Sequence, residues 1–448
     1  MNFSNRDMDM TNGAIGSQLI AFALPMLLGL CFQQLYTTVD TVVVGQFVSK
    51  TALAAVGCTG NIINMLVGFC NGLAIGATVI ISQRFGARDD KNLSLAVQTT
   101  IVMTFIMSVI MTVVGILIAP LALEWMNTPA DVIDEATVYL QIYFAGISGL
   151  MIYNMGSGIL RAVGDSRRPL YFLIISSVLN VGLDLMFVCW FKMGVDGVAY
   201  ATILSQFISA ILVLVLLTRS HAPYRIIWSR LRLDFPILRN IMKIGFPAGI
   251  QQAVISFSNV FVQSYINAYG SDCMAGWAAY NRLDAFIVLP ANSLSQASAT
   301  FSAQNYGAHK YGRFKEGARI ALLYSIIATV ALTAIAMLLR RPLLMLINSD
   351  PGMLEYGEHF ILWISPFYAL TCFNGIYSGA MRGMNDSRTP MIITISCFVV
   401  FRQIFLLVCR LLSVGFMSVT LAYPVGWALC SVLVTLYYRR QVRIRLAE

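Results

Sequence analysis

Twelve apolar segments of helix length recur along the chain, at roughly 17–45, 51–82, 93–119, 136–160, 169–191, 197–218, 241–267, 274–303, 318–340, 357–381, 390–412 and 417–437. A helix rises about 1.5 Å per residue, so about 20 apolar residues cross a hydrocarbon core of about 30 Å. In lipid every backbone N–H and C=O must be satisfied within the protein, which leaves helices and closed barrels as spanning structures. Segments of this length fit helices. The expected fold is an all-α membrane protein with twelve transmembrane helices. Composition agrees: 58% of residues are hydrophobic and 11% charged, against about 25% charged in a soluble domain. The net charge of +9 points to basic loops rather than nucleic acid, because the positive residues fall between apolar segments.

Twelve crossings put both termini on one side of the membrane. The N-terminus, the even-numbered loops and the C-terminal tail are basic, as at Arg84, Arg88 and Lys91, at Arg161, Arg167 and Arg168, and at Arg439, Arg440, Arg443 and Arg445. The opposite loops carry Glu124, Asp131, Asp134, Glu135, Asp350, Glu355 and Glu358. The positive-inside rule then makes the termini cytoplasmic, in a multi-pass protein of the cell membrane. Arg340 and Arg341 break the pattern. The polar start, MNFSNRDMDM, is followed by an apolar segment long enough to stay in the bilayer, so no cleaved signal peptide is expected. The nine cysteines are scattered without a CxxC pair and read as small buried hydrophobes. His221, His309 and His359 lie far apart and suggest no metal site.

The chain also repeats. QRFGARD at 83–89 returns as QNYGAHK at 304–310, and RAVGDSRRP at 161–169 returns as RGMNDSRTP at 382–390, both at an offset of 221 residues. Pro25 and Pro247 are separated by 222. One weak match could be chance, but a shared offset argues for two homologous six-helix lobes. The expected division is 1–218 for the first lobe, 219–240 for a basic cytoplasmic linker and 241–448 for the second lobe. Six is an even number, so both lobes enter from the same side, as a parallel repeat with a pseudo-two-fold axis along the membrane normal. Duplicated bundles of this kind are characteristic of transporters.

Ionisable residues inside membrane spans are costly and usually functional. Here they are Asp40, Asp184, Asp284, Arg282 and Arg402. Asn180 and Asp184 are four apart on one helix face. Asp184 lies roughly 22 Å above the start of its span and Thr202 roughly 8 Å below the opposite end of the next. In a core of about 30 Å these are the same level. Asp40 is near that level again. Asp40, Asn180, Asp184 and Thr202 are therefore expected to meet in the first lobe. Oxygen ligands suit a hard cation, and a carboxylate pair suits a shared proton. At an offset of 221, Asn180 maps to Phe401, Asp184 to Phe405, Thr202 to Tyr423 and Asp40 to Phe261 or, at 222, to Val262. The second lobe lacks this cluster, which argues against a purely structural role in the shared fold. A hydrogen-bonded structural Asp is the bland alternative.

The second lobe has its own polar set. Arg282 and Asp284 are two apart and face away from each other on a helix. Asp284 is expected to pair with Arg402 as a structural ion pair; the alternative is that they line a central cavity and touch substrate. Asn281 shares a face with Asp284, and Asn259 with Gln263. Pro25, Pro247, Pro290, Pro366 and Pro424 lie within spans and can kink them.

These residues together resemble the multidrug and toxic compound extrusion family. The resemblance rests on IAFALPMLLGLCFQQLYTTVDTVVVGQF, QRFGARD, RAVGDSRRPLYFLIISSVLNVGLDLMF and the repeated RGMNDSRTP, and covers nearly the whole chain. Its details are similar to the prokaryotic DinF-type branch or its multidrug relatives. The resemblance implies a two-lobed antiporter that exports amphipathic, often cationic, compounds in exchange for protons or sodium. By motif match the cation site falls on Asp40, Asn180, Asp184 and Thr202, joined by Asn154, and Pro25 matches a proline at which the first helix bends. Another branch has an acidic residue after the proline of span seven. Here the stretch is GFPAGIQQAVISF, with Gln251 and Gln252 and no carboxylate.

On this reading Asp40 is tolerated because it alternates between a neutralised state and an exposed, ionised one. The coupling ion is H+ or Na+ and no other cofactor is expected. The partners are the bilayer and small amphipathic substrates, with no nucleic acid, and the protein is expected to be a monomer and not an enzyme. A flippase for a lipid-linked oligosaccharide would share the fold, and Arg282 and Arg402 are the residues that would favour it. A membrane enzyme or a channel has less support, because no HExxH, GxSxG, phosphate-loop or selectivity-filter motif is present.

Overall fold

The computed structural model describes residues 7–48, 50–126, 128–129, 132–412 and 414–445. Side chains at 40–42, 44–46, 50–51, 53–54, 58 and 61 lie outside the described part. The described residues contain helices and no strand. In chain order the helices are α1 (Ile15–Phe47), α2 (Lys50–Gly86), α3 (Asp90–Trp125), α4 (Ile133–Ala145), α5 (Ile147–Ala162), α6 (Arg167–Leu185), α7 (Val195–Arg219), α8 (Phe235–Asn267), α9 (Ser271–Ile287), α10 (Leu289–Gly307), α11 (Tyr311–Leu338), α12 (Arg340–Met345), α13 (Pro351–Ile364), α14 (Tyr368–Gly383), α15 (Arg388–Ile395), α16 (Arg402–Leu411) and α17 (Met417–Arg445). Each of the twelve apolar segments is helical.

Several spans are built from two pieces. The α4–α5 pair bends by 46° at Gly146. A π-helical turn, Met186–Trp190, continues α6, and another, Ser396–Phe401, joins α15 to α16. Nine helices among the described residues are long and apolar enough to cross a membrane, or ten with the bent pair. The α8 and α9–α10 segments fall short because they carry Gln251, Gln252, Ser258, Asn259, Asn281, Arg282 and Asp284. The exposed faces of the other helices are apolar: Leu117 in α3 is 72% exposed and Leu338 in α11 79%. Trp125 closes α3 and Trp190 closes the π turn, both exposed, as interfacial tryptophans are. The chain is a multi-pass membrane protein.

The chain forms two compact units. The first holds Met1–Asp9 and Leu28–Gly249, the second Met10–Leu27 and Ile250–Glu448. The sequence division at 218 and 241 follows the repeat, whereas these units cut α1 just after Pro25 and α8 just after Pro247, so each contains part of both helices. Helix α8 starts at Phe235, inside the expected linker, because the Asp234 carboxylate accepts from Ile237 N at 3.0 Å and caps it.

The repeat survives at the level of single hydrogen bonds. After α2, the N–H groups of Ala87, Arg88 and Asp89 donate to the carbonyls of Gln83, Phe85 and Arg84; after α10, those of Ala308, His309 and Lys310 donate to Gln304, Tyr306 and Asn305. Arg88 and His309 share a φ of 56°. After α5, Gly164 has φ 89°, and its counterpart Asn385 has φ 64°. Asn is the side chain that best tolerates this region. Gly164 is bound to glycine for a second reason: a Cβ there would lie 2.3 Å from Met8 O. The N-terminal segment is seated against this loop, with Met8 N donating to Val163 O at 3.2 Å.

The loops of the first unit form a polar cluster. Tyr224 Oη donates to the Asp7 carboxylate, 2.8 and 2.9 Å from its two oxygens. Asp165 and Arg168 form an ion pair at 3.0 Å, both nearly inaccessible. Burial pushes the Asp7 carboxyl above its usual range, against the opposing pull of the Tyr224 hydroxyl and Arg168. Burial does the same to Asp165. Arg340 and Arg341, which break the charge pattern of the loops, both pair with Glu358, at 3.5 and 3.8 Å.

Within the first unit α2 and α8 cross backbone to backbone. A Cβ on Gly72 would lie 2.1 Å from Gly249 N, and one on Gly76 would lie 2.5 Å from Ile241 O. Gly72, Gly76, Gly245 and Gly249 are small residues spaced by four on the two helices, the pattern that lets membrane helices approach closely. The second unit instead has an aromatic core. Trp277 stacks edge-on to Phe360 at 4.9 Å, and Tyr280, Tyr368, Leu344 and Ile361 are buried around them.

Candidate functional site

In the first unit, α6 carries Ser176, Asn180 and Asp184 on one face, each four residues from the next. They are 8%, 1% and 0% exposed. Helix α7 presents Thr202, Ser205 and Ser209, also buried. The two faces meet, because Ser176 Oγ donates to Ser205 O at 2.9 Å. Thr202 Oγ1 donates to Val198 O at 3.0 Å, which leaves its lone pairs as acceptors. Neither amide atom of Asn180 has a hydrogen-bond partner among the described residues. Leaving one such group unsatisfied costs about 1–3 kcal/mol, and a buried carboxylate costs more unless it is neutralised. Asp184 lies two residues before the π-helical turn at Met186, and π turns are frequent at functional sites.

Asp40 lies in α1, but its side chain is outside the described residues. Asn154 is half-buried on α5, with Nδ2 unpartnered among the described residues. Pro25 is half-buried inside α1, which continues helically through it. The structure thus brings Asn180 and Asp184 onto one buried face, against the helix that bears Thr202. The serines at 176 and 205 are additions that the sequence reading missed. Spacing by four from Asn180 is the signal that could have found Ser176. Carboxylate, amide and hydroxyl oxygens in an apolar surround could hold a sodium ion, or the carboxylate a proton.

In the second unit the expected ion pair between Asp284 and Arg402 is absent. Asp284 accepts from the Tyr368 hydroxyl. Because Tyr368 donates there, Tyr280 donates in turn to Tyr368. The Arg402 guanidinium donates from Nη2 to Ser258 Oγ at 2.7 Å and to Asn259 Oδ1 at 3.0 Å. It also lies over the Tyr423 ring, 4.9 Å from the centroid. The two charges are separated because the Tyr368 hydroxyl satisfies the acid locally and neutral side chains of α8 hold the base. Asn281 and Arg282 are exposed, and Gln263 donates to Asn267 Oδ1 at 2.8 Å. Nothing in the sequence pattern singled out Tyr280 or Tyr368 from 19 tyrosines.

A duplicated helical bundle with a buried polar face built around a carboxylate has the build of a secondary transporter. The chain belongs to the MatE family: the family model matches residues 25–186 and 247–408. The two matches begin at Pro25 and Pro247, the prolines that mark the repeat. The chain is 30% identical over 402 residues to the "Probable multidrug resistance protein YpnP" of Bacillus subtilis (strain 168), covering 89% of each. It is 28% identical over 427 residues to the "Probable multidrug resistance protein YoeA" of the same organism, covering 93% of this chain and 92% of that one. The fold is shared with a structure described as the outward-facing conformation of a multidrug resistance MATE family transporter, with a TM-score of 0.92, 98% coverage of both chains and 22% identity.

Proposed function

We propose that this protein is a multidrug efflux transporter that exchanges H+ or Na+ for amphipathic compounds, cationic drugs among them. It sits in the cytoplasmic membrane with both termini inside, and the first unit carries the coupling ion. The observation that carries this reading is the buried Asn180–Asp184 face on α6, packed against the Thr202 face of α7 and absent from the repeat-related unit. A polar cluster that the shared fold does not need is retained for what it binds. Neutralising Asp184 by a proton or a sodium ion removes the cost of a buried charge and favours the packed state of this face. Drug and ion then favour different states, as antiport requires. Asp40 is assigned to the same site on its depth in α1, as the residue whose charge alternates. The names of the relatives support efflux of drugs as the activity.

The test is ethidium efflux from proteoliposomes under an imposed pH gradient and, separately, an imposed sodium gradient. Wild-type protein should drive efflux under one of them. Asp184→Asn should abolish it while leaving a folded protein in the membrane. Full efflux by that variant would overturn the assignment of coupling to the first unit.

A further inference from the structure

Arg402 is 4% exposed, yet no carboxylate lies within ion-pair distance of it among the described residues. A buried guanidinium is costly unless an anion compensates it. Its hydrogen bonds to described residues both leave from Nη2 and both go to neutral oxygens, Ser258 Oγ and Asn259 Oδ1. Nε is buried and has no hydrogen-bond partner among the described residues.

The surroundings supply still more donors. Ser258 Oγ also accepts from Gln403 Nε2 at 3.2 Å, so its acceptor capacity is used and its own O–H is left to donate. Arginine can only donate. That fixes Asn259 with Oδ1 toward Arg402 and its NH2 group away, on a residue that is exposed. Ser258 Oγ is fully used as an acceptor and Asn259 Oδ1 is turned to the guanidinium, while a positive charge and spare N–H and O–H groups remain. Such a lining is complementary to an anion.

The repeat sharpens the point. Arg402 stands 221 positions after Val181, next to Asn180, and Tyr423 stands 221 positions after Thr202. One position along from the polar face of Asn180 and Asp184 in the first unit, the second unit places a guanidinium, and the counterparts of Asn180 and Asp184 themselves are Phe401 and Phe405. Both places adjoin a π-helical turn, the second ending at Phe401. Beside Arg402, Tyr423 and Trp427 are half-buried, with ring centroids 5.9 Å apart, and they offer an aromatic wall.

We propose that Arg402, Ser258, Asn259 and Gln403 form an anion-recognition subsite of the second unit. It takes a carboxylate or phosphate carried by an amphipathic compound whose apolar body lies against Tyr423 and Trp427. The proposal rests on the reading of the chain as an exporter and extends its substrates beyond cations. The same chemistry could reach the site on a soluble amphiphile or on a lipid headgroup.

The experiment measures binding of fluorescein, an anionic aromatic carboxylate, by fluorescence anisotropy to purified protein in phosphatidylcholine nanodiscs. Cationic rhodamine 123 serves as the control dye. Arg402→Gln should weaken fluorescein binding at least tenfold and leave rhodamine 123 unchanged. Asn259→Asp, at the exposed edge, gives the guanidinium an internal carboxylate. It should also expel fluorescein, with thermal stability kept or raised, and it carries the test if Arg402→Gln does not fold. In nanodiscs containing phosphatidylglycerol, competition that is lost in Arg402→Gln would identify a lipid headgroup as the occupant; its absence would identify the soluble amphiphile. No saturable binding of fluorescein to wild type, or equal binding to wild type and Asn259→Asp, overturns the subsite. Ethidium efflux measured in parallel separates the two readings: a wild type that binds fluorescein through Arg402 but never drives efflux leaves the subsite standing and removes the exporter.

Discussion

Asp165 and Asp386, 221 positions apart, occupy the same place in their own units: Asp165 Oδ1 accepts from Arg168 N at 3.1 Å, and Asp386 Oδ1 from Thr389 N at 3.2 Å. Their second partners differ. Asp165 holds the buried Arg168 in an ion pair at 3.0 Å, whereas Asp386 accepts from Tyr437 Oη at 2.9 Å.

The first prediction follows from that difference. Asp165→Ala removes the salt-bridge partner of a buried arginine and should cost about 3–5 kcal/mol. Asp386→Ala removes hydrogen bonds from neutral donors, leaving no buried charge behind, and should cost about 1–3 kcal/mol. Thermal unfolding of the two variants in one detergent should rank Asp165→Ala as the less stable. The reverse order would contradict this assignment.

Asp7 makes stability depend on pH. Its folded pKa is raised by burial above the ordinary 3.8. A raised pKa means that the folded protein binds the proton more tightly than the unfolded chain. The resulting stabilisation is complete below the ordinary value and disappears as pH rises through the folded one. Wild-type Tm should therefore fall relative to Asp7→Asn across that window, and the difference should level off above it. Parallel Tm curves from pH 3.5 to 8 would remove Asp7 as the cause.

Tyr368 links Tyr280 to Asp284 in the second unit. Tyr368→Phe deletes the donor to a half-buried carboxylate and leaves the Tyr280 hydroxyl without its acceptor. It should destabilise the protein by about 1–3 kcal/mol. Adding Asp284→Asn should recover part of that loss, because the orphaned charge is gone. Chemical unfolding of the single and double variants reads the coupling, and simple additivity would show that the hydroxyl does not serve the carboxylate.

The Gly72 contact yields a fourth expectation. A Cβ at Gly72 meets the backbone of Gly249 at 2.1–2.3 Å, so Gly72→Ala must drive α2 and α8 apart. Overpacking of a tight contact costs about 1–3 kcal/mol. Gly57, whose Cβ would meet nothing within 4 Å, lies in the same helix and should accept Ala with a small effect. Folded yield and Tm compare the two, and equal tolerance would mean that the helices separate without cost.

The sequence pattern revealed much of this protein for simple reasons. Apolar length alone marked the twelve helical segments, because a bilayer demands it. The 221-residue offset revealed the duplication, because the turns after α2, α5, α10 and α14 need particular residues at positive φ. Spacing by four brought Asn180 and Asp184 to one face. What the pattern missed depended on tertiary neighbours. Asp284 and Arg402 have opposite charges and suitable depths, but nearby tyrosine, serine and asparagine side chains bind them separately. No one-dimensional pattern distinguishes Tyr368 from the other tyrosines. The compact units also divide α1 and α8 internally.

The crossing of α2 and α8 also constrains how this chain can change. At most tight contacts, a substitution that adds volume can be suppressed by a smaller residue opposite. Here the residue opposite Gly72 is Gly249, and opposite Gly76 the nearest atoms are Ile241 O and Gly245 backbone. No side chain remains to be reduced. Revertants of Gly72→Ala or Gly76→Ala should therefore arise by true reversion, or at distant positions that shift a whole helix, and not at the facing residues. Gly72 and Gly76 are thus locked by backbone they face, which no substitution in the code can make smaller.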